Sequence, residues 1–370
     1  MRGRTHMPVR PLAEADIPQV ADLYWKVLRE RTGSTPPSVR AFIQELYFTN
    51  PWMDASLPSL VYDDKGTVAG FLGVVPRRMT SQGKPVRIAY GGNFAVHPDF
   101  RTTLAGLHLL RTYMGGGQDL SQTDSANDTS RALLERLGFT TILPFSVHWV
   151  RALRPARALT YAIARVAQRS LTDSLAFISK PFCDIADKLA ATLSSSPFRQ
   201  VQSRLHASEL DVDTLISCVS QFRNQYNLFP EYDAPSLTWL FSFMERMKGH
   251  GQRLRKILLR DDSGTVVGWY VYYLTVGGFA DVAQIGGSRK QLGEILDHLF
   301  RDAWQEGAIA LHGTSDRRLM DIYSDKNCFF TCRGGWTLAH SRKPGFMDIL
   351  NSGDAFLSRL DGEWCLAFGG

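Results

Sequence analysis

Cysteine is too scarce and too scattered for a disulfide-stapled fold. The five thiols, at positions 183, 218, 328, 332 and 365 of 370 residues, are odd in number and share no repeated spacing. Cys328 and Cys332 form a lone Cys-x3-Cys with no second pair nearby, so no zinc site and no metal are expected. No apolar run approaches the roughly 18 residues that span a bilayer. Residues 1–16 carry arginines but no apolar core, and Glu14 and Asp16 follow; this reads against a signal peptide and for a cytoplasmic protein. Gly-x-Ser-x-Gly, Walker and His-Glu-x-x-His patterns are absent. Charge of one sign is not in general excess. Residues 1–150 carry 16 basic and 13 acidic groups, 151–200 carry 8 and 3, and 201–370 carry 18 and 20. A uniform nucleic-acid surface would not look like this, and no sequence-specific nucleic acid is expected as a partner.

What is present is a repeat. Residues 63–70 (DDKGTVAG) and 261–268 (DDSGTVVG) match at six of eight positions, 198 residues apart. Apolar strand-like runs flank each copy, and Asp-Asp-x-Gly between two such runs is a hairpin turn. Helical segments at 14–31 and 209–226, each followed by a second at 38–48 and 235–248, come before the hairpins. The order predicts a duplicated α/β unit, with copies near residues 7–150 and 200–350. A length of 370 residues suits about two domains. The expected division is 1–150, a helical basic linker at 151–199, and 200–370.

The linker has its own pattern. Arg151, Arg154, Arg157, Arg165 and Arg169 occur with no acid before Asp173. On a helical projection they share one face, with Leu159 and Ile163 opposite, and Pro155 suits a helix start. Two readings stay open: a packed helix with a solvated basic face, or a surface that meets an acidic partner or an anionic membrane.

The most informative segment is 93–111. A short strand ends at Val96, His97, Pro98 and Asp99 make a turn, and a helix begins near Thr102 or Thr103. Such a junction points unpaired backbone N–H groups at one spot, the helix dipole adds partial positive charge, and Arg101 adds a full one. His97 and Asp99 read equally as exposed turn residues.

This segment resembles the coenzyme A-binding segment of the Gcn5-related N-acetyltransferase (GNAT) superfamily, whose strand leads into an Arg/Gln-x-x-Gly-x-Gly/Ala loop. Here that loop is Arg101, Thr102, Thr103, Leu104, Ala105, Gly106: the last glycine is kept and the first is Leu104. Residues 127–139 are similar to the family's helix and turn that end in Gly-Phe, here Gly138 and Phe139. The resemblance covers residues 8–150. It implies an α/β (α+β) fold of two tandem GNAT-like mixed-sheet domains. It places pantetheine in a gap between splayed strands against Phe94, Ala95 and Val96, and pyrophosphate on residues 101–106. Asn127 would face the acyl carrier. The implied reaction is transfer of an acyl group, acetyl first among candidates, from an acyl-CoA to a small-molecule or glycan-linked amine. The tyrosine that often protonates the leaving thiolate in the family is Leu134 here, and no base stands out.

The second copy divides these features. Gly286, Gly287 and Ser288 before a helix, with Arg289 and Lys290, would form a smaller anion nest. Tyr323 falls at the family's general-acid position and is the one catalytic candidate; an ordinary helix tyrosine is the competing reading. Two other functional classes stay open: a degenerate GNAT scaffold that binds coenzyme A or a protein without catalysis, which Leu104 and Leu134 favour, and a Fem-type transferase using aminoacyl-tRNA, which the basic segment 151–169 would suit.

Overall fold

The computed structural model describes residues 8–166, 172–247, 249, 251–333 and 335–368. The first half forms β1 (Val9–Pro11), α1 (Ile17–Leu23), α2 (Pro37–Gln44), β2 (Leu60–Asp64), β3 (Thr67–Ser81), β4 (Lys84–Val96), α3 (Ala105–Met114), β5 (Leu120–Ala126), α4 (Asp128–Arg136), β6 (Thr140–Thr141), α5 (Leu143–Ser146) and β7 (His148–Ala152). Helices α6 (Pro155–Val166) and α7 (Thr172–Thr192) follow. The second half forms β8 (His206–Glu209), α8 (Val212–Phe222), β9 (Leu228–Pro230), α9 (Ala234–Met247), β10 (Gln252–Arg260), β11 (Val266–Thr275), β12 (Phe279–Gly287), α10 (Leu292–Gln305), β13 (Ala310–Thr314), α11 (Met320–Asp325), β14 (Phe329–Thr331), β15 (Trp336–His340) and α12 (Phe346–Asn351).

Both repeated octapeptides are hairpin turns. At Lys65 and Gly66 φ is +54° and +92°, the mirror-image turn that suits twisted antiparallel strands, and the Asp63 carboxylate accepts from Gly66 N at 2.7 Å. In the second copy the Asp261 carboxylate accepts from Ser263 N and Thr265 N, with Gly264 left-handed at φ +82°. Gly138 and Asn327 both take the left-handed conformation that ends their helices. The α1 and α2 regions each end in a π-helical turn, Tyr24–Leu28 and Glu45–Thr49.

The halves are not separate in space. One sheet runs β1-β2-β3-β4-β5-β15-β6, and the other β14-β7-β13-β12-β11-β10-β8. Each half thus donates its late strand to the other's sheet. β7 pairs antiparallel with β13 over Ala152↔Ala310 to His148↔Thr314, whereas β15 inserts between β5 and β6. β9 adds a further tie by pairing with β3 at Met79↔Pro230. The exchange is anchored by Trp149 of β7, fully buried and stacked on Tyr323 at 5.2 Å in the second core. Truncating a tryptophan buried this completely to alanine costs about 3–5 kcal/mol.

The arginine pattern resolves differently from its helical projection. Arg151 lies in strand β7, not on a helix, and is 4% exposed. It donates to the carbonyls of Asn327 (3.2 Å) and Pro197 (2.8 Å). Arg154 donates to Trp304 O at 2.6 Å, and Arg157 pairs with Asp184. Arg165's side chain and all of Arg169 lie outside the described residues. Guanidinium groups here satisfy carbonyls at the ends of α10 and α11, where cations are favoured. Leu159 and Ile163 are among the exposed residues of α6, at 62% and 54%. Arg151, Arg154 and Arg157 therefore do not form a free docking face for an anionic partner.

Because each sheet needs a strand from the other half, the full chain should unfold in one cooperative calorimetric transition. Residues 8–199 expressed alone should fail to give a cooperative transition, and should recover one when coexpressed with 200–370. Two independent transitions in the full chain would contradict the exchange.

Candidate active site

The site follows from how strands β4 and β5 part. They pair in parallel over only Ile88↔Leu120, Ala89↔Ser121 and Tyr90↔Gln122, after which they diverge. Tyr113 of α3 sits at the apex. Its hydroxyl donates to Ala89 O at 2.6 Å and accepts from Gln122 N at 3.1 Å, tying the two strands where the ladder ends. Beyond Tyr90 the β5-facing edge of β4 has no ladder partner among the described residues. Backbone donors and acceptors are thus available to an extended amide-bearing chain.

A cleft of about 350 Å³ occupies this gap. The outer wall includes Phe94, Asn127 and Leu134, and the inner wall Leu46, Tyr47 and Leu72. The π-helical turns carry Tyr24, Leu28, Leu46 and Tyr47 into it. Asn93, left-handed at φ +50°, sits where the β3–β4 register shifts, and its amide donates to Tyr47 Oη at 2.8 Å. Burial raises the Tyr47 pKa far above the ordinary tyrosine value, so the phenol stays protonated. Its own hydroxyl hydrogen has no acceptor among the described residues.

The segment after α12 crosses both sheets. Leu360 N bonds Ala283 O, Arg77 Nε bonds Asp361 O at 2.9 Å, and Glu363 N bonds the Asp124 carboxylate at 3.0 Å. This course delivers the Glu363 carboxylate into the cleft, where it accepts from Thr123 Oγ1 at 2.7 Å and from Ser125 Oγ. Two glycines make the room. A Cβ at Gly92 would stand 1.8 Å from Glu363 Oε2, and one at Gly362 1.7 Å from Asp124 Oδ2. Both carboxyls are pushed above the usual carboxylate range. Enclosure by protein is the main cause for each, and the neighbouring Glu363 charge adds to it at Asp124.

The residues singled out in the sequence fall into three places. Phe94 and Asn127 line the cleft, with the Asn127 side-chain oxygen capping α4 through Ser130 N at 2.8 Å. Ala95 and Val96 continue β4 beyond it. Arg101, Thr102, Thr103 and Leu104 are exposed at the start of α3, where Ala105 N–H donates to Thr103 Oγ1 at 3.2 Å. Gly106 is where α3 crosses β4: a Cβ there would meet Phe94 Cζ at 3.1 Å. His97 and Asp99 are exposed, at 48% and 81% of their side chains. Tyr323 is not brought to this cleft; it is buried against Trp149 in the other sheet. Gly286 packs on Trp269, which a Cβ would meet at 2.2 Å, so this glycine is required by packing.

Tyr47 and Glu363 carried no sequence signal. Tyr47 sits in a helix of ordinary composition, and Glu363 lies about 240 residues from the hydroxyls it meets.

The sheets, their splayed strands and the crossing helix constitute a GNAT-like mixed α/β fold. A GCN5-related N-acetyltransferase from Anabaena variabilis superposes with TM-score 0.58 at 10% identity, over 90% of this chain and 72% of that one. A conserved protein of unknown function from Enterococcus faecalis, described as a probable N-acyltransferase, gives 0.57 at 9% identity, over 90% and 71%. N-myristoyltransferase of Saccharomyces cerevisiae, solved with myristoyl-CoA and inhibitors, gives 0.51 at 9% identity, over 90% and 79%. At these identities the likeness is one of fold. No family model and no curated protein matches the chain.

The raised carboxyls make stability depend on pH. In the unfolded chain both ionise in the ordinary carboxylate range, whereas the fold keeps protons to higher pH. The folded state then binds more protons, so stability falls as pH rises from the ordinary range through the raised values. Calorimetry on Asp124→Asn should show a shallower fall in Tm over that interval than the parent protein shows. Equal slopes would mean that the pair titrates normally.

Proposed function

We propose that the chain is an acyl-CoA-dependent N-acyltransferase that acts in the β4–β5 cleft. The observation that carries this reading is a carboxylate and a protonated phenol, Glu363 and Tyr47, lining one cleft beside an unpaired strand edge. The pantetheine amides would bond the free edge of β4 at Phe94, Ala95 and Val96, with Asn127 beside them. The pyrophosphate would lie at residues 101–106, against Arg101 and the start of α3.

An acceptor amine is a cation at neutral pH and must lose a proton before it attacks. Glu363, held above the usual carboxylate range, is matched to take it. The amine nitrogen then bonds the thioester carbonyl carbon, the C–S bond breaks, the sulfur takes the proton of Tyr47, and the excess proton on the nitrogen passes to the Tyr47 phenolate. This assigns to Tyr47 the role that Leu134 cannot fill. The acyl group, acetyl or longer, and the acceptor, a small-molecule or glycan-linked amine, belong to this proposal, as does a cytoplasmic setting. Among the described residues no helix is long and apolar enough to cross a membrane.

Turnover of an acyl-CoA and amine panel is the test. Glu363→Gln should lower kcat by about 10²–10⁴-fold while leaving the coenzyme A dissociation constant nearly unchanged. Tyr47→Phe should lower kcat by at least about tenfold. In Asp124→Asn the acidic limb of the kcat/KM profile, set by ionisation of Glu363, should move to lower pH, because a neighbouring negative charge is gone. Arg101→Glu should raise the coenzyme A dissociation constant at least about tenfold. Coenzyme A binding without turnover on any amine would leave the non-catalytic scaffold reading in place.

A further inference from the structure

The second sheet opens in the same way as the first. β12 and β13 pair in parallel over Phe279↔Ala310, Ala280↔Leu311 and Asp281↔His312, then part. A separate cleft of about 310 Å³ fills this gap. Ile285, Leu319, Tyr323 and Phe356 give it apolar walls. Its polar lining is small and unsatisfied. Ser315 is 2% exposed, and its hydroxyl has no hydrogen-bond partner among the described residues. Arg318 is fixed on several sides: Nη1 donates to Gln225 O at 2.6 Å, Nε stands 3.5 Å from Asp316, and the guanidinium lies over the Tyr226 ring at 3.6 Å. Its Nη2 is buried and likewise without a partner. Two buried donors without acceptors in one cleft are costly unless a ligand supplies the acceptor.

We propose that this cleft binds a monocarboxylate carried on an apolar body. The carboxylate would accept from Arg318 Nη2 and Ser315 Oγ, and the apolar part would lie against Ile285, Leu319 and Phe356. The local charge favours one negative charge over two. Arg318 and the exposed Arg289 are opposed by Asp316, whose carboxylate accepts from Tyr226 Oη at 3.1 Å, and by Asp354, 3.6 Å from Arg318 Nη1. Those named charges cancel, so a dianionic phosphate would add twice the uncompensated negative charge that a monocarboxylate adds. This site does not depend on the acyl-transfer reading of the first cleft.

Hexanoate is the probe, titrated into the full chain by calorimetry and saturation-transfer NMR, beside hexanol and inorganic phosphate. Millimolar binding of hexanoate, with hexanol and phosphate each at least about tenfold weaker, is the expected result. Arg318→Met should weaken hexanoate at least about tenfold. Ser315→Ala should weaken it several-fold while leaving the Tm of the free protein unchanged or higher, because an unpartnered buried hydroxyl is removed. The Ser315 variant keeps the test decisive if Arg318→Met misfolds. Equal hexanoate binding by the parent and Ser315→Ala, hexanol as tight as hexanoate, phosphate tighter than hexanoate, or no binding up to about 10 mM would each overturn the proposal.

Discussion

Three residue pairs of parallel ladder join β4 to β5, and their ending after Tyr90 creates the site. Strands that stayed paired would satisfy their own backbone groups and leave nothing for a ligand. Tyr113 holds the point of divergence by bonding both strands at once, so the opening is a fixed wedge set by one buried hydroxyl. The cleft, the free strand edge and the position of α3 all follow from that wedge.

The reciprocal exchange of β7 and β15 explains why the wedge is enclosed. β15 pairs with β5 on the side away from β4, so the strand that forms one wall of the cleft is held by the second half of the chain. The segment that follows returns across both sheets and ends with Glu363 against Gly92. The strand-edge cleft and the carboxyl that enters it are thus assembled from opposite ends of the sequence. Neither half could supply both.

Local features were legible because local physics decides them. The DDxG turns needed glycine and a side-chain acceptor within four residues, and they form as read. The helix-ending Gly138 and Asn327 are likewise decided by their own backbone. The strand exchange was not legible, since a short apolar strand such as His148–Ala152 specifies burial without specifying a partner. The arginine stripe failed for a related reason. A helical projection assumes a helix, and Arg151 belongs to a strand, its guanidinium bonded to the carbonyls of Asn327 and Pro197. The carboxylate pair depends on contacts between Asp124 and Glu363, 239 positions apart, which no spacing rule within one motif could reveal.

Leu134 makes sense within this assembly. A hydroxyl at that position would enter the cleft from α4, on the same outer wall as Asn127 and Phe94. A buried phenol lies instead on the inner wall, where Tyr47 is held by Asn93 at the register shift in β4. Placing the phenol across the cleft from α4 leaves Leu134 to pack with Phe139 in the core beneath β5. It also brings the phenol to the side where the C-terminal segment delivers Glu363. The negative charge there raises the Tyr47 pKa further, in the same direction as burial. Burial and that charge act together on the phenol, which keeps its proton, while enclosure by protein raises the Glu363 carboxyl as well.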